Sequence, residues 1–239
     1  AWLQDFLVDR SMRVLVKDTT SDTREVKSGV PQGSVLGPIL FLLYINHIAS
    51  NLTCSYKIFA DDLKIFMKLE NEGPQVSAEY LQRDIDTLHS TAGSWGLTMN
   101  LQKCAVLHYR RRFHVQVPII YSLNGSTIPC VASYTDLGVI VDDQMKFHEH
   151  CMRTAGKAGG VVHNFLKSTR CRSSDFMLHV LETHIRPVLE YSSPVWNNGY
   201  IQDLKRLEAV QRLWTRNIMG LRNVEYGDRL RTLELFSVK

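Results

Sequence analysis

Asp61 and Asp62 stand side by side between two apolar runs, Tyr56-Lys57-Ile58-Phe59 and Leu63-Lys64-Ile65-Phe66-Met67. Such runs, broken by Ala60-Asp61-Asp62, predict two short strands and a tight turn, with both carboxylates at the tip of a hairpin. Adjacent ionised carboxylates about 5 Å apart repel by about 1–3 kcal/mol at a surface-like dielectric, a cost that a bound divalent cation relieves. Asp is also a common turn residue, because its side chain bonds nearby backbone. The pair alone is therefore open to two readings, a solvated turn and a metal site, and the surrounding chain has to separate them.

Upstream lies Gly29-Val30-Pro31-Gln32-Gly33-Ser34-Val35-Leu36-Gly37-Pro38. Its glycines permit irregular backbone and close approach to a ligand, and Gly37-Pro38 fits an N-cap followed by the first helical position. The helix that follows, from Ile39 to about Ala49-Ser50-Asn51, is apolar nearly all round, which predicts burial against the sheet that carries the hairpin. Ahead of this loop, 13–17 and 24–27 read as short strands around a turn at 18–22.

Past the hairpin, Asn71-Glu72-Gly73-Pro74 breaks the chain. Leu81, Ile85, Leu88, Ala92 and Trp95 then recur at three and four residues, predicting an amphipathic helix capped by Ser77 and closed by Gly96, with Arg83, Asp84 and Asp86 largely off the stripe. Lys103 enters a strand from Cys104 to Tyr109, and Arg110-Arg111-Arg112 follows, open to nucleic-acid contact or to plain solvation. Asn124-Gly125, between 117–123 and 126–131, is a type I′ hairpin signal, and 134–142 reads as a strand interrupted by Gly138.

From His148 onward the pattern is helical. His148, His150 and Cys151 lie close together, but His-x-His spacing does not put both rings on one helical face, which disfavours zinc. Between about Ile201 and Met219, Leu204, Leu207, Val210, Trp214 and Ile218 share one face while Lys205, Arg212 and Arg216 form a strip on the opposite one. That strip is either a solvated face or a line of phosphate contacts. From residue 151 the chain carries 14 Lys and Arg against 8 Asp and Glu, a net +6, leaving 14 against 16 before it, a net −2. A weakly acidic part followed by a basic part suggests a carboxylate-bearing unit joined to one that holds polyanions.

At 239 residues with 44% hydrophobic content the chain is long enough to bury a real core as one large or two small domains. It has no run of about 18 apolar residues to span a membrane and shows no secretory or other targeting signal. Five scattered cysteines without a Cys-x-x-Cys pair favour reduced, buried thiols in an intracellular setting, nucleus or cytoplasm. The chain opens at Ala1 inside a helical pattern (Trp2, Leu3, Phe6, Leu7) and stops without a tail, as if cut at both ends.

A glycine- and proline-fixed loop entering an apolar helix, then an Asp-Asp hairpin, an amphipathic helix and a Lys-bearing strand, resembles the order of parts in a reverse transcriptase palm. Gly29 to Phe41 resembles the motif before the catalytic hairpin, and Phe59-Ala60-Asp61-Asp62 the hairpin itself, with Phe59 where Tyr is commoner. Trp95-Gly96-Leu97 with Asn100 and Lys103 is similar to the next palm motif, and Leu137-Gly138-Val139 to the hairpin that grips the primer. Arg186 to Tyr191 with Trp196, then Leu207 to Arg212 with Thr215-Arg216, Gly220-Leu221, Tyr226 and Arg229-Leu230, resemble the region after the palm in animal non-LTR (LINE-type) retrotransposons.

The resemblance implies an α+β fold, a partial right-hand palm over 1–145 with an antiparallel sheet and packed helices, followed by an all-helical thumb or connection region over 146–239. It implies two-metal nucleotidyl transfer with Mg²⁺, an RNA template, a DNA primer and dNTPs, and no evident protein partner. Asp61 would be the metal ligand and Asp62 its support. Ala60 would leave room for the primer end, Pro31, Gln32 and Gly33 would line the pocket for the new base pair beside Phe59, and Lys103 would face the leaving phosphates or be a solvated strand-entry Lys. Leu137 and Gly138 would grip the primer, and Arg110, Arg111, Arg112, Lys205, Arg212 and Arg216 would meet nucleic-acid backbone. The family also uses an Asp from a strand upstream of Trp2. Without it the isolated chain is expected to be inactive, and a noncatalytic nucleic-acid-binding or scaffolding role is the alternative.

Overall fold

The computed structural model describes residues 2–69, 74–109, 119–197 and 199–238. Arg110, Arg111, Arg112 and the break at 71–73 lie outside the described residues. Mixed helices and small ladders make the chain α+β. It divides into two compact units, Ala1–Cys104 with Pro118–Ile128, and Ala105–Val117 with Pro129–Lys239. The division falls elsewhere than residue 145, because Val139 and Val141 pack into the same core as the helices that follow them.

In the first unit α1 (Trp2–Leu7) leads to two ladders, β1 (Ser11–Met12) with β4 (Arg24–Glu25) and β2 (Leu15–Val16) with β3 (Thr19–Thr20). The expected turn at 18–22 tightens to Lys17-Asp18, with Lys17 at φ 52°, because β-branched Thr19 and Thr20 join the ladder. Next come α2 (Gly37–Ile45), the hairpin strands β5 (Ser55–Phe59) and β6 (Asp62–Phe66), and α3 (Pro74–Ser94). The expected strand at 104–109 reduces to β7 (Val106–Leu107), which belongs to the second unit. β8 (Ser122–Leu123) and β9 (Ser126–Thr127) turn at Asn124-Gly125, φ 50° and 75°, in the type I′ sense expected. The Gln82 amide fixes that hairpin, donating to the Ser122 carbonyl at 2.9 Å and accepting from its N–H at 2.8 Å.

Burial of α2 is corrected by the structure. Gly37 is its one buried residue, and Ile39, Leu42, Leu43 and Tyr44 are exposed. An evenly apolar helix needs cover on every side, and the described residues cover only its far end, where Ile45, Ile48 and Ala49 meet Leu88 and Ala92. The helix also stops at Ile45, short of Ala49, and the turns after it carry Ile48 and Ala49 inward.

In the second unit β10 (Cys130–Val131) runs parallel to β7, and β11 (Ser133–Asp136) pairs antiparallel with β12 (Val139–Asp142). Gly138 does not interrupt a strand; Leu137 and Gly138, at φ 45° and 85°, form the two-residue turn of this hairpin. Helices follow: α4 (His148–Ser168), α5 (Ser174–Val180), a π turn over Leu181–Ile185, α6 (Arg186–Glu190), α7 (Ser193–Trp196), α8 (Ile201–Arg216) and α9 (Tyr226–Thr232). The π turn precedes Pro187, which has no N–H to continue the regular ladder. Met177, Leu181, Ile185, Leu189, Leu207 and Trp214 are fully buried together, and the Trp214 indole donates to the Met177 carbonyl at 2.8 Å. α8 keeps the expected face inward, although Leu204 is only half-buried and the helix ends at Arg216.

All five cysteines are free thiols, and only Cys54 and Cys151 are buried, so general burial of the thiols is not found. His148 meets the Asp203 carboxylate, whereas His150 accepts from the Ile140 N–H at 3.2 Å. No helix among the described residues is long and apolar enough to cross a membrane.

Candidate active site

The hairpin pairs Ser55 with Phe66, Tyr56 with Ile65, Lys57 with Lys64, Ile58 with Leu63 and Phe59 with Asp62, leaving Ala60-Asp61 as a two-residue turn. Ala60 takes φ 52°, a left-handed conformation tight two-residue turns need. Directly opposed residues share a face of the ladder and successive ones alternate. Ile58, Leu63 and Ile65 face the cluster around Leu88 and Ala92, so Phe59 and Asp62, with Lys57 and Lys64, lie on the other face. Phe59 is 63% exposed, and both Asp61 and Asp62 are exposed at the tip. An apolar anchor on one face thus presents two carboxylates on an open end.

A polar clamp sets where the hairpin begins. The Asp84 carboxylate, on α3, accepts from the Cys54 N–H at 2.6 Å, the Thr53 N–H at 2.9 and 3.1 Å, and the Thr53 hydroxyl at 3.1 Å. Asp84 is only 2% exposed, against its expected place off the apolar stripe. The spacing held the signal: Asp84 is three residues after Leu81 and four before Leu88, hence on the stripe. Burial pushes its pKa up, but the Cys54 and Thr53 donors outweigh this and hold the carboxyl below its ordinary value.

The loop before α2 is built around its own backbone. The Ser34 hydroxyl donates to the Pro31 carbonyl at 2.7 Å and accepts from the Gly37 N–H at 2.9 Å, so Ser34 serves the helix start and Gly37 lies inside the helix. A Cβ on Gly37 would stand 2.8 Å from the Pro31 oxygen, which excludes any side chain there. Gln32 and Gly33 are exposed, Gly33 at φ 80°, and the Arg10 guanidinium donates to the Gly29 carbonyl. At the far end of α2 the Tyr44 ring packs 5.2 Å from that of Trp95.

Lys103 sits at the end of a 3₁₀ turn, Leu101–Lys103, started by the Asn100 side chain accepting from Gln102 at 3.0 Å, rather than at a strand entry. It shares the first unit with Asp61, Asp62, Pro31, Gln32, Gly33, Phe59 and Ala60. Leu137 and Gly138 belong to the second unit, where the Tyr191 hydroxyl donates to the Leu137 carbonyl at 3.0 Å. Lys205, Arg212 and Arg216 are exposed along α8. The sequence reading passed over Glu208, Gln211, Tyr226 and Arg229 as a group, because they reach one another only once α9 folds back on α8.

Asp61 and Asp62 offer hard oxygen donors of the kind Mg²⁺ takes. Among the described residues no group of three or more His, Cys, Asp and Glu is placed to hold a metal ion.

A family model described as reverse transcriptase (RNA-dependent DNA polymerase) matches residues 1–153. The chain is 26% identical over 226 residues to a probable RNA-directed DNA polymerase from transposon X-element of Drosophila melanogaster, covering 91% of this chain and 24% of that protein. It is 25% identical over 229 residues to the RNA-directed DNA polymerase from mobile element jockey of the same species, covering 91% and 25%. It is also 27% identical over 260 residues to a Pol polyprotein from type-1 retrotransposable element R2 of Popillia japonica, covering 95% and 39%. The chain thus spans about a quarter of the length of the first two relatives. No solved structure matches it. On these matches and its ordered motifs, the chain belongs to the reverse transcriptase family, among the enzymes of non-LTR, LINE-type retrotransposons.

Proposed function

We propose that this chain is the catalytic-hairpin portion of an RNA-directed DNA polymerase encoded by a LINE-type element. The unit that carries the Asp61-Asp62 hairpin forms part of a right-hand palm, and the helices from His148 onward form a thumb-like region. The observation that carries the reading is the Ala60-Asp61 turn, which presents Asp61 and Asp62 outward from a hairpin anchored on α3. Bound at these carboxylates, paired Mg²⁺ ions would supply activation of a primer 3′-hydroxyl and stabilisation of the departing pyrophosphate.

The chain's own residues do the rest. Asp61 ligates and Asp62 supports it. Pro31, Gln32 and Gly33 offer backbone to the nascent base pair on a loop that Ser34 keeps in one shape. Ala60 keeps the turn small beneath the primer end, beside the exposed Phe59 ring. Lys103 holds negative charge on the leaving phosphates and can return a proton to them. Leu137 and Gly138 steady the primer, and Arg110, Arg111, Arg112, Lys205, Arg212 and Arg216 meet backbone phosphates.

Two neighbouring carboxylates cannot fill the near-octahedral shells of two ions. Further oxygen donors are needed to complete the site, and the 239-residue chain by itself does not extend a primer. Purified alone with Mg²⁺, an RNA template and a DNA primer, it is expected to yield no product, whereas a longer product of the same element extends the primer and Asp61→Asn abolishes that. Extension by the isolated chain, lost on Asp61→Asn, overturns the claim of inactivity; extension by the longer protein that survives Asp61→Asn overturns the site. The partial donor set favours one second reading, a noncatalytic nucleic-acid-binding protein, which predicts RNA affinity with no extension from either length.

A further inference from the structure

Where α9 folds onto α8, the guanidinium groups of Arg212, Arg216 and Arg229 share one small region, and the Glu208 carboxylate beside them is engaged by Tyr226 and by backbone. Arg229 is 4% exposed, its Nε has no hydrogen-bond partner, and its Nη2 reaches the Arg212 carbonyl at a long 3.4 Å. Ion pairs among the described residues include His148 with Asp203, Arg186 with Glu190, Arg206 with Asp203, and Arg231 with Asp228. None of these includes Arg212, Arg216 or Arg229. A buried cation left unpaired is costly, and such a site is stabilised by an anion that arrives from outside.

The region is also held in shape. Two of the groups pack on the Tyr226 ring, with the Arg212 Cζ 4.6 Å and the Arg229 Cζ 5.3 Å from its centroid. Its hydroxyl donates to Glu208 and accepts from the Gln211 amide at 3.1 Å, while that amide also donates to the Phe236 carbonyl at 3.0 Å. The second Glu208 oxygen accepts from the Val238 N–H at 2.6 Å, so both oxygens of this carboxylate already accept hydrogen bonds. Arg216 follows Arg212 by one helical turn, which puts their Cβ atoms about 6 Å apart. Burial lowers the Arg229 pKa; Arg216 and Arg212 lower it further, against the Tyr226 contribution. Both exposed arginines are therefore electrostatic neighbours of the buried one.

We propose that Arg212, Arg216 and Arg229 converge on a single backbone phosphate of a bound nucleic-acid strand, with Tyr226 fixing the fork between them. Guanidinium groups suit a phosphodiester because their planar donors match its two free oxygens. Arg212 and Arg216 reach the phosphate from the surface, and Arg229 is the positioning cation beneath them. This rests on the reading that the chain holds nucleic acid, and it narrows that reading from a strip of separate contacts to one built site.

The test measures binding of the 239-residue chain to a fluorescein-labelled RNA–DNA hybrid duplex across a salt series, for Arg212→Gln, Arg216→Gln, the double variant and Arg229→Lys. Thermal melts confirm that each variant folds. One shared phosphate predicts that either single Gln variant flattens the log–log salt slope by about 0.9, the value for one phosphate on a duplex, and that the double variant flattens it no further. Arg229→Lys keeps the charge but loses the fork, so it weakens binding about tenfold with little change of slope. A double variant that loses about two units shows independent contacts and overturns the proposal, as do unchanged slopes or a strip that answers to polyglutamate and not to the hybrid. If the unmodified chain fails to bind the hybrid, the nucleic-acid reading falls together with this one; normal binding with unaltered slopes removes this one alone. Should Arg229→Lys fail to fold, the two surface variants decide the matter.

Discussion

In the second unit Trp214, Leu207, Ile185 and Met177 are covered completely by helices of that same unit, whereas in the first the most apolar helix, α2, leaves Ile39, Leu42 and Leu43 about half exposed or more. The buried cluster of the first unit is Ile48, Ala49, Leu88 and Ala92 with a partly buried fringe. Much of its definition comes instead from polar attachments: Asp84 on Thr53 and Cys54, Gln82 on Ser122, Ser34 on Pro31. The helical unit is held by packing, the carboxylate unit by clamps. An apolar core resists truncation through its volume, while a clamp answers to the charge state of one group, so the two units should fail under different challenges.

The largest expected effect is in the packed unit. Trp214→Ala removes a wholly buried indole and its hydrogen bond to Met177, and should cost about 3–5 kcal/mol. Hydrogen exchange resolved along the chain should show lost protection in α4, α5 and α8 while α3 and the β5–β6 hairpin keep theirs. Equal loss in both units breaks the contrast.

Asp84→Ala comes next, at about 1–3 kcal/mol, because it leaves the Thr53 and Cys54 N–H groups without their acceptor. Faster amide exchange at the start of β5, with the helices of the second unit unchanged, is the expected reading. Acid sharpens the point. The folded Asp84 carboxyl lies below its ordinary value, so its stabilisation is present above the unfolded pKa of about 3.9 and is lost as pH falls through the folded value. Asp142 carries the same liability in the second unit, where it accepts from Lys146 and Phe147 and is likewise held low. Asp84→Asn should therefore remove the acid transition of the first unit and leave that of the second in place. The smallest effect is at the open helix: Leu43→Glu should change stability by no more than about 0.5 kcal/mol, and a larger loss in a urea titration would show that its face is covered after all.

The Asp61-Asp62 hairpin was legible because alternation and turn chemistry are local, although Asp62 joins the ladder opposite Phe59 instead of standing in the turn. The Asn124-Gly125 turn and the α8 face were legible for the same reason. Cover for α2 was not, since periodicity reports which face is apolar and is silent on what lies opposite. Asp84 was missed by treating polarity as a sign of solvent, although its i−3 and i+4 neighbours, Leu81 and Leu88, placed it on the buried stripe. Lys103 does not lead straight into a strand at Cys104, because the Asn100 side chain offers Gln102 an acceptor and turns the chain first. The Tyr226 group needed two helices separated by Asn217 to Glu225 to meet, and no window on either helix contains it.

Tyr191 gives the Leu137-Gly138 tip a property hairpins seldom have. Its hydroxyl holds the Leu137 carbonyl, and its ring carbon sits 3.3 Å from where a Gly138 Cβ would stand. The same residue closes α6, just before Ser192 turns left-handed into α7 and Trp196 donates back to the Tyr191 carbonyl at 2.6 Å. A loop that would otherwise swing on its two strands is splinted to a helical joint. The place of the tip is thereby tied to the geometry of the α6–α7 joint rather than to its two strands alone.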